Sequence, residues 1–160
     1  MYYGGYTAPP LKLFTSDPND ITSMDVKCWV LGDKLLSIGF KNYAMKRLYT
    51  QYFTTTTFVS AITTHDAQYA FENTALSSKL RRFYLDFIVQ HFANPLRLKG
   101  TTEEWDELLL EHSDARLFLL QSFRAAPGQH ELVTAEKDYM DEDESLRIEF
   151  GKMQIENRVS

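Results

Sequence analysis

The residues able to do chemistry are few in this chain, and they stand apart from one another. Cys28 is the single cysteine. Its neighbours Lys27 and Trp29 lie on a largely apolar stretch, where a thiol packs as a small hydrophobe rather than acting as a nucleophile. His65-Asp66 has the composition of a base with its orienting acid. Adjacent residues on a helix point in different directions, however, and Thr63-Thr64-His65-Asp66 reads better as a helix cap. Glu111-His112 with Asp114 has the residue types of a metal or acid–base cluster, but no HExxH spacing and no second cysteine supports a metal site. His91 falls on the apolar face of a helical pattern, as a hydrogen-bonded core histidine would. Gly4-Gly5 is an isolated turn and not a phosphate loop. The residues assign no catalytic role, no cofactor and no metal.

The elements that must position these groups are helical. The first 22 residues are rich in turn formers, with Gly4-Gly5, Pro9-Pro10 and Ser16–Asp20 around a short Leu11–Phe14 run. Ser23 can cap a helix from Met24, which carries Val26, Trp29 and Val30 inward, its apolar face widened by Leu31, Leu35 and Leu36. Gly32 inside that helix costs about 1 kcal/mol relative to alanine, which points to close approach of another helix. After Ser37-Ile38-Gly39 a second helix is predicted from Phe40 to about Phe53, with Phe40, Tyr43, Ala44 and Leu48 inward and Met45, Tyr49 and Tyr52 alongside. Four threonines, Thr54 to Thr57, interrupt it. Short helical pieces are expected over Phe58–Ile62 and His65–Asn73.

The clearest periodicity is Leu80, Phe83, Tyr84, Phe87, Ile88, His91 and Phe92, with Arg81, Arg82, Asp86 and Gln90 opposite. Asn94-Pro95 closes that helix. Thr101 and Glu104 form a capping box for a helix burying Trp105, Leu108 and Leu109. A last helix runs from Ser113 or Asp114 through Arg124, with Leu117, Leu120 and Phe123 expected inward. No convincing strand pattern or internal repeat is present in the sequence, so the expected class is all-α, an irregular multi-helix bundle.

Charge narrows the function classes. Residues 1–124 hold 13 acidic and 13 basic side chains, whereas residues 125–160 hold nine acidic and four basic, the whole excess of −5. A neutral body with an acidic end lacks the footprint of a nucleic-acid binder. The tail reads as solvated and partly disordered. Its run Asp138–Glu144 could alternatively dock on a basic partner. No secretory signal or membrane-length apolar run is recognisable, and the lone cysteine fits a reducing compartment, so the expected location is intracellular, cytoplasmic or nuclear.

Several packing signatures also resemble a family. Gly32-Asp33-Lys34, then Phe40-Lys41-Asn42 and Ala44, are similar to the late helices of a BTB/POZ domain, especially of fungal BTB proteins. Met1–Tyr6 resembles the end of an earlier BTB helix with its turn. Phe71-Glu72-Asn73-Thr74, followed by Ser78-Lys79-Leu80-Arg81-Arg82, resembles the helical extension of the fungal members. The likeness covers about residues 1–124. It implies a C-terminal BTB-like helix pair (23–55) and a helical extension (56–124), which lie between the loop-rich segment (1–22) and the acidic tail (125–160) read from composition. The N-terminal half of a BTB domain, which normally supplies the dimer surface, has no counterpart in this sequence.

The resemblance implies a non-catalytic adaptor or scaffold that binds other proteins, as a homo- or hetero-oligomer through these helices; the charge balance and the hydropathy give the expectation of no nucleic acid and no membrane. Cullin-type ubiquitin ligases are partners of some members through a hydrophobic-x-Glu element, but no glutamate precedes Glu72 here. BTB domains are often joined to DNA-binding modules, and no such module is present. Trp29, Phe40, Tyr43 and Tyr49 are the expected contact residues. The alternative expectation is a small all-α enzyme or ligand-binding protein with an inter-helix pocket near His65, His91 and His112.

Overall fold

The computed structural model describes residues 22–54, 60–125 and 135–142. The fold is all-α. Six helices run in the order α1 (Met24–Lys34), α2 (Ile38–Tyr49), α3 (Thr64–Asn73), α4 (Lys79–His91), α5 (Thr102–Glu111) and α6 (Ser113–Arg124). A π-helical turn, Thr50–Thr54, continues α2, and a 3-10 turn lies at Glu136–Tyr139. Two-residue strands β1 (Ile62–Thr63) and β2 (Leu98–Lys99) pair in parallel, Ile62 opposite Leu98. The pair ties the entry of α3 to the loop after α4. The helical piece expected over Phe58–Ile62 is therefore not formed at Ile62, which lies in β1; Phe58 and Val59 fall outside the described residues.

Local chemistry sets three of the six helix starts. Thr63 accepts from the Asp66 backbone N–H at the head of α3, Ser78 accepts from Arg81 N–H at the head of α4, and Thr101 with Glu104 completes the capping box of α5. Ser23 behaves differently from expectation. Its side chain makes no capping bond; its backbone N–H donates to Asp66 Oδ1 at 2.7 Å, which ties the head of α1 to the head of α3.

The α1–α2 hairpin closes over Gly32. A Cβ there would stand 2.9 Å from Lys41 Cγ and 3.0 Å from Lys41 N, so the close approach expected from the sequence is present. The left-handed turn residue is Leu36 (φ 53°), not Gly39, which sits in the first turn of α2. Ser37 N–H donates to Gly32 O at 2.8 Å and Leu36 N–H to Asp33 O at 3.1 Å, a Schellman closure. A leucine in that conformation costs about 1–2 kcal/mol. Because α1 ends at Lys34, Leu35 and Leu36 belong to the turn and are exposed, where the sequence suggested a buried face.

Helix α4 is central. It packs against α3, α6 and the 3-10 turn. Leu80, Phe83, Tyr84, Phe87 and Ile88 are buried as the periodicity predicts. Its expected solvent face is largely covered too: Arg81 is 2% exposed and Asp86 1%, while Arg82 is half-buried. Neighbours on several sides leave α4 no broad wet face. Elsewhere the core includes Val26, Trp29 and Val30 of α1, Ala44, Met45 and Leu48 of α2, and Tyr52, Ile62, Ala67, Ala70, Phe71, Leu98, Trp105, Leu108, Ala115, Leu119 and Tyr139. Tyr43 is not part of the inner stripe of α2; it is 59% exposed.

The last helix is rotated relative to its expected setting. Ala115 and Leu119 are buried with Phe118 packed beside them, and Leu117, Leu120 and Phe123 face outward. Asp114 explains the rotation. It receives Arg81 Nε at 2.9 Å and Nη2 at 2.8 Å, while the Arg82 guanidinium lies 5.0 Å from the centre of the Phe118 ring. These contacts hold the 114/115/118/119 face against α4.

Candidate protein-interaction site

The four residues expected to meet a partner occupy three different environments. Trp29 is buried at 2% exposure between α1 and its neighbours, with Lys41 Nζ 5.2 Å from its ring centre. In this conformation it presents no contact surface, which corrects that expectation: the interior helix packing uses the indole. Phe40 is half-buried in the hairpin, its ring against Gly32. Tyr49 is partly buried and stacks on Phe53 at 5.0 Å. Tyr43 alone of the four is mostly exposed, at the rim of an open cleft shared with Asp25, Lys46 and Arg47.

A larger apolar surface lies on α6. Leu117, Leu120 and Phe123 are 55%, 54% and 51% exposed and recur at i, i+3 and i+6 on one side of the helix. Phe92, at the C-terminal end of α4, extends the row, its ring 5.4 Å from that of Phe123. Leu117 and Leu120 line a shallow groove of about 420 Å³ with Gln121, Arg124 and Ala125. Arg116 and Arg124 are exposed at the two ends of the row. The signal for this surface was present in the sequence: α6 has apolar residues around most of its circumference, more than one buried face can absorb.

Part of the acidic tail is docked on the body. Tyr139 is fully buried, its ring 5.3 Å from Phe83 and 6.3 Å from Tyr49. Its hydroxyl donates to Asp86 Oδ2 at 3.1 Å. Burial, then the nearby Asp86 carboxylate, pushes the Tyr139 pKa far above the ordinary phenol value. Asn42 clamps the following backbone: its Nδ2 donates to Asp141 O at 2.9 Å and its Oδ1 accepts from Asp141 N–H at 2.8 Å. Lys41 pairs with the carboxylates of Asp141 and Asp33, and Lys79 Nζ donates to Asp138 O at 2.8 Å. Burial works against the Lys41 ammonium, but the two carboxylates outweigh it and raise its pKa. Residues 135–142 are thus a bound segment, not the solvated tail that composition suggested; residues 143–160 lie outside the described residues.

The histidines are not brought together. His65 is exposed and lines a polar cleft of about 240 Å³ between α3 and α5, with Gln68, Glu104, Glu107 and Glu111. His91 lies tilted against Phe87, ring centres 4.5 Å apart, and burial, then the Arg97 charge, lowers its pKa. His112 stands edge-on to Phe71 at 5.3 Å. Neither His91 nor His112 lines the His65 cleft. Asp66 does not orient His65: it is buried, receiving Ser23 N–H and the Thr63 hydroxyl, and burial raises its pKa against those bonds. Asp114 is engaged by Arg81. Among the described residues, no group of three His, Cys, Asp or Glu side chains is arranged to hold a metal ion, and no helix is long and apolar enough to cross a membrane.

Comparison with protein-family models, with curated proteins and with solved structures finds no match for this chain.

Proposed function

We propose that this protein is a non-catalytic protein-interaction module, an adaptor or scaffold of the kind implied by its resemblance to the C-terminal part of a fungal-type BTB/POZ domain. The observation that supports the reading is the apolar row Leu117–Leu120–Phe123, about half exposed along a helix whose other face packs against α4, with half-exposed Phe92 beside it. Contiguous apolar surface of this kind marks protein contact sites. The mechanism is shape and apolar complementarity, with Arg116 and Arg124 at the ends of the row to fix register.

Sedimentation equilibrium tests the reading. The chain is expected to self-associate in the micromolar range, and Leu117→Glu with Leu120→Glu to abolish this while helical circular dichroism is unchanged. A chain that stays monomeric throughout that range overturns it.

One observation favours the second reading, a ligand-binding or enzymatic protein: the polar cleft at His65. A thermal-shift screen with divalent metals and common cofactors separates the two. A large stabilisation that disappears in His65→Ala would favour the cleft.

A further inference from the structure

The groove between α2 and α4 has the construction of a peptide receptor. Its α4 wall presents Lys79, Phe83 and Asp86, at i, i+4 and i+7 on one face, and its α2 wall presents Asn42 and Tyr49, two turns apart. Each group reads a different feature of the bound segment. Phe83 and Tyr49 enclose an aromatic ring, and buried Asp86 accepts its hydroxyl at 3.1 Å. Asn42 engages both the N–H and the C=O of the residue two positions later, the two-pronged contact by which a neighbouring strand would hold a peptide. Lys41 then reads that residue's carboxylate. Ring, hydroxyl, backbone and acid together specify Tyr-x-Asp, with the tyrosine closing a 3-10 turn and the next residue extended.

We infer that this groove is a recognition site for Tyr-x-Asp peptides of another protein, and that residues 135–142 occupy it in cis as an exchangeable copy of the ligand. The bound piece is the length of a linear motif, and its polar anchors lie on α2 and α4 side chains. It joins α6 through residues 126–134. The site is separate from the α6 row, so its failure and the failure of the α6 reading are independent. Covalent attachment gives the cis copy an effective concentration that can reach the millimolar range. An external peptide at micromolar concentration must therefore lose to it until the cis copy is weakened.

The probe is a labelled synthetic peptide of residues 135–142, followed by fluorescence anisotropy against the full chain. Tyr139→Ala with Asp141→Ala is expected to bind it roughly 100-fold more tightly than the unaltered chain does, because the competing copy has been disabled. Adding Asn42→Ala should abolish the gain. Replacing the peptide's tyrosine by phenylalanine should weaken binding roughly tenfold, through loss of the hydroxyl on Asp86. A folded double variant that does not take the peptide overturns the inference. A concentration-dependent dimer of the unaltered chain that Tyr139→Ala abolishes also overturns it, in favour of exchange between copies. Should the double variant lose its helical signal, a chain with a protease site within residues 126–134 decides. Cleavage, removal of the peptide and its rebinding to a still-helical body support the site. Collapse on removal makes the segment part of the core and overturns it.

Discussion

Arg81 commits every guanidinium nitrogen, although it lies on the polar side of α4. At 2% exposure it sends Nε and Nη2 to Asp114, Nη1 to Phe71 O at 2.7 Å, and lays its guanidinium 4.5 Å from the Phe71 ring centre. A lysine cannot reproduce a fork that serves two acceptors and stacks on a ring. Arg81→Ala should therefore cost about 2–4 kcal/mol, below the upper range for a broken buried pair because Asp114 keeps access to water. Arg81→Lys should recover less than half of it, and urea unfolding checks both. The sequence placed Arg81 on a wet face, since it sits opposite the apolar stripe of α4; burial of that side depends on α3 and α6 arriving there, which no local pattern encodes.

His91 gives a pH dependence whose sign is fixed. Burial and the Arg97 charge lower its pKa below 6.5 in the folded state, so the unfolded chain binds the proton more readily. Its contribution to stability is fully present above that unfolded value and is lost as pH falls through the folded one. Thermal denaturation from pH 7 downward should show the loss, and His91→Gln should flatten that part of the profile. A variant with the same slope would place the dependence elsewhere.

At the scale of elements, what the sequence disclosed and what it did not divide cleanly. Helix starts at Thr63 and Thr101 are legible because a cap needs only residues three apart. The tight hairpin at Gly32 was legible for the same reason: a glycine inside a helix has few other uses. The rotation of α6 was not. Its residues 115, 117–120 and 123 are all apolar, so periodicity admits two faces, and the choice is made by Arg81 and Arg82 reaching across from α4. Two neighbouring substitutions test the observed choice. Leu119→Ala should cost about 2–5 kcal/mol, as cavity formation at a buried leucine does. Leu120→Ala, one residue away on the exposed side, should change stability by less than about 0.5 kcal/mol. Equal costs in chemical denaturation would mean that the expected 117/120/123 face is buried after all.

For the whole molecule, stability should be graded from α4 outward. Helix α4 is covered by α3, α6 and the 3-10 turn, and its residues Phe83, Tyr84, Phe87 and Ile88 are inaccessible to solvent. Its amides can exchange only when the core opens, so they should report a free energy near that of global unfolding. The segment at 135–142 was invisible as structure in the sequence, because an acidic stretch of low periodicity reads as solvated; one buried ring, an asparagine 99 positions away and the lysines at 41 and 79 hold it. Attachment that depends on so few groups should open without dismantling the helices beneath. Native-state hydrogen exchange is therefore expected to show the Asp141 amide, donated to Asn42, exchanging through a local opening of lower free energy than the α4 amides. Asn42→Ala should speed Asp141 exchange further while leaving α4 unchanged. If Asp141 and the α4 amides instead share one opening free energy, and Asn42→Ala lowers both together, the docked segment and the central helix form a single cooperative unit. The groove beneath Tyr139 would then never be vacant in the folded protein.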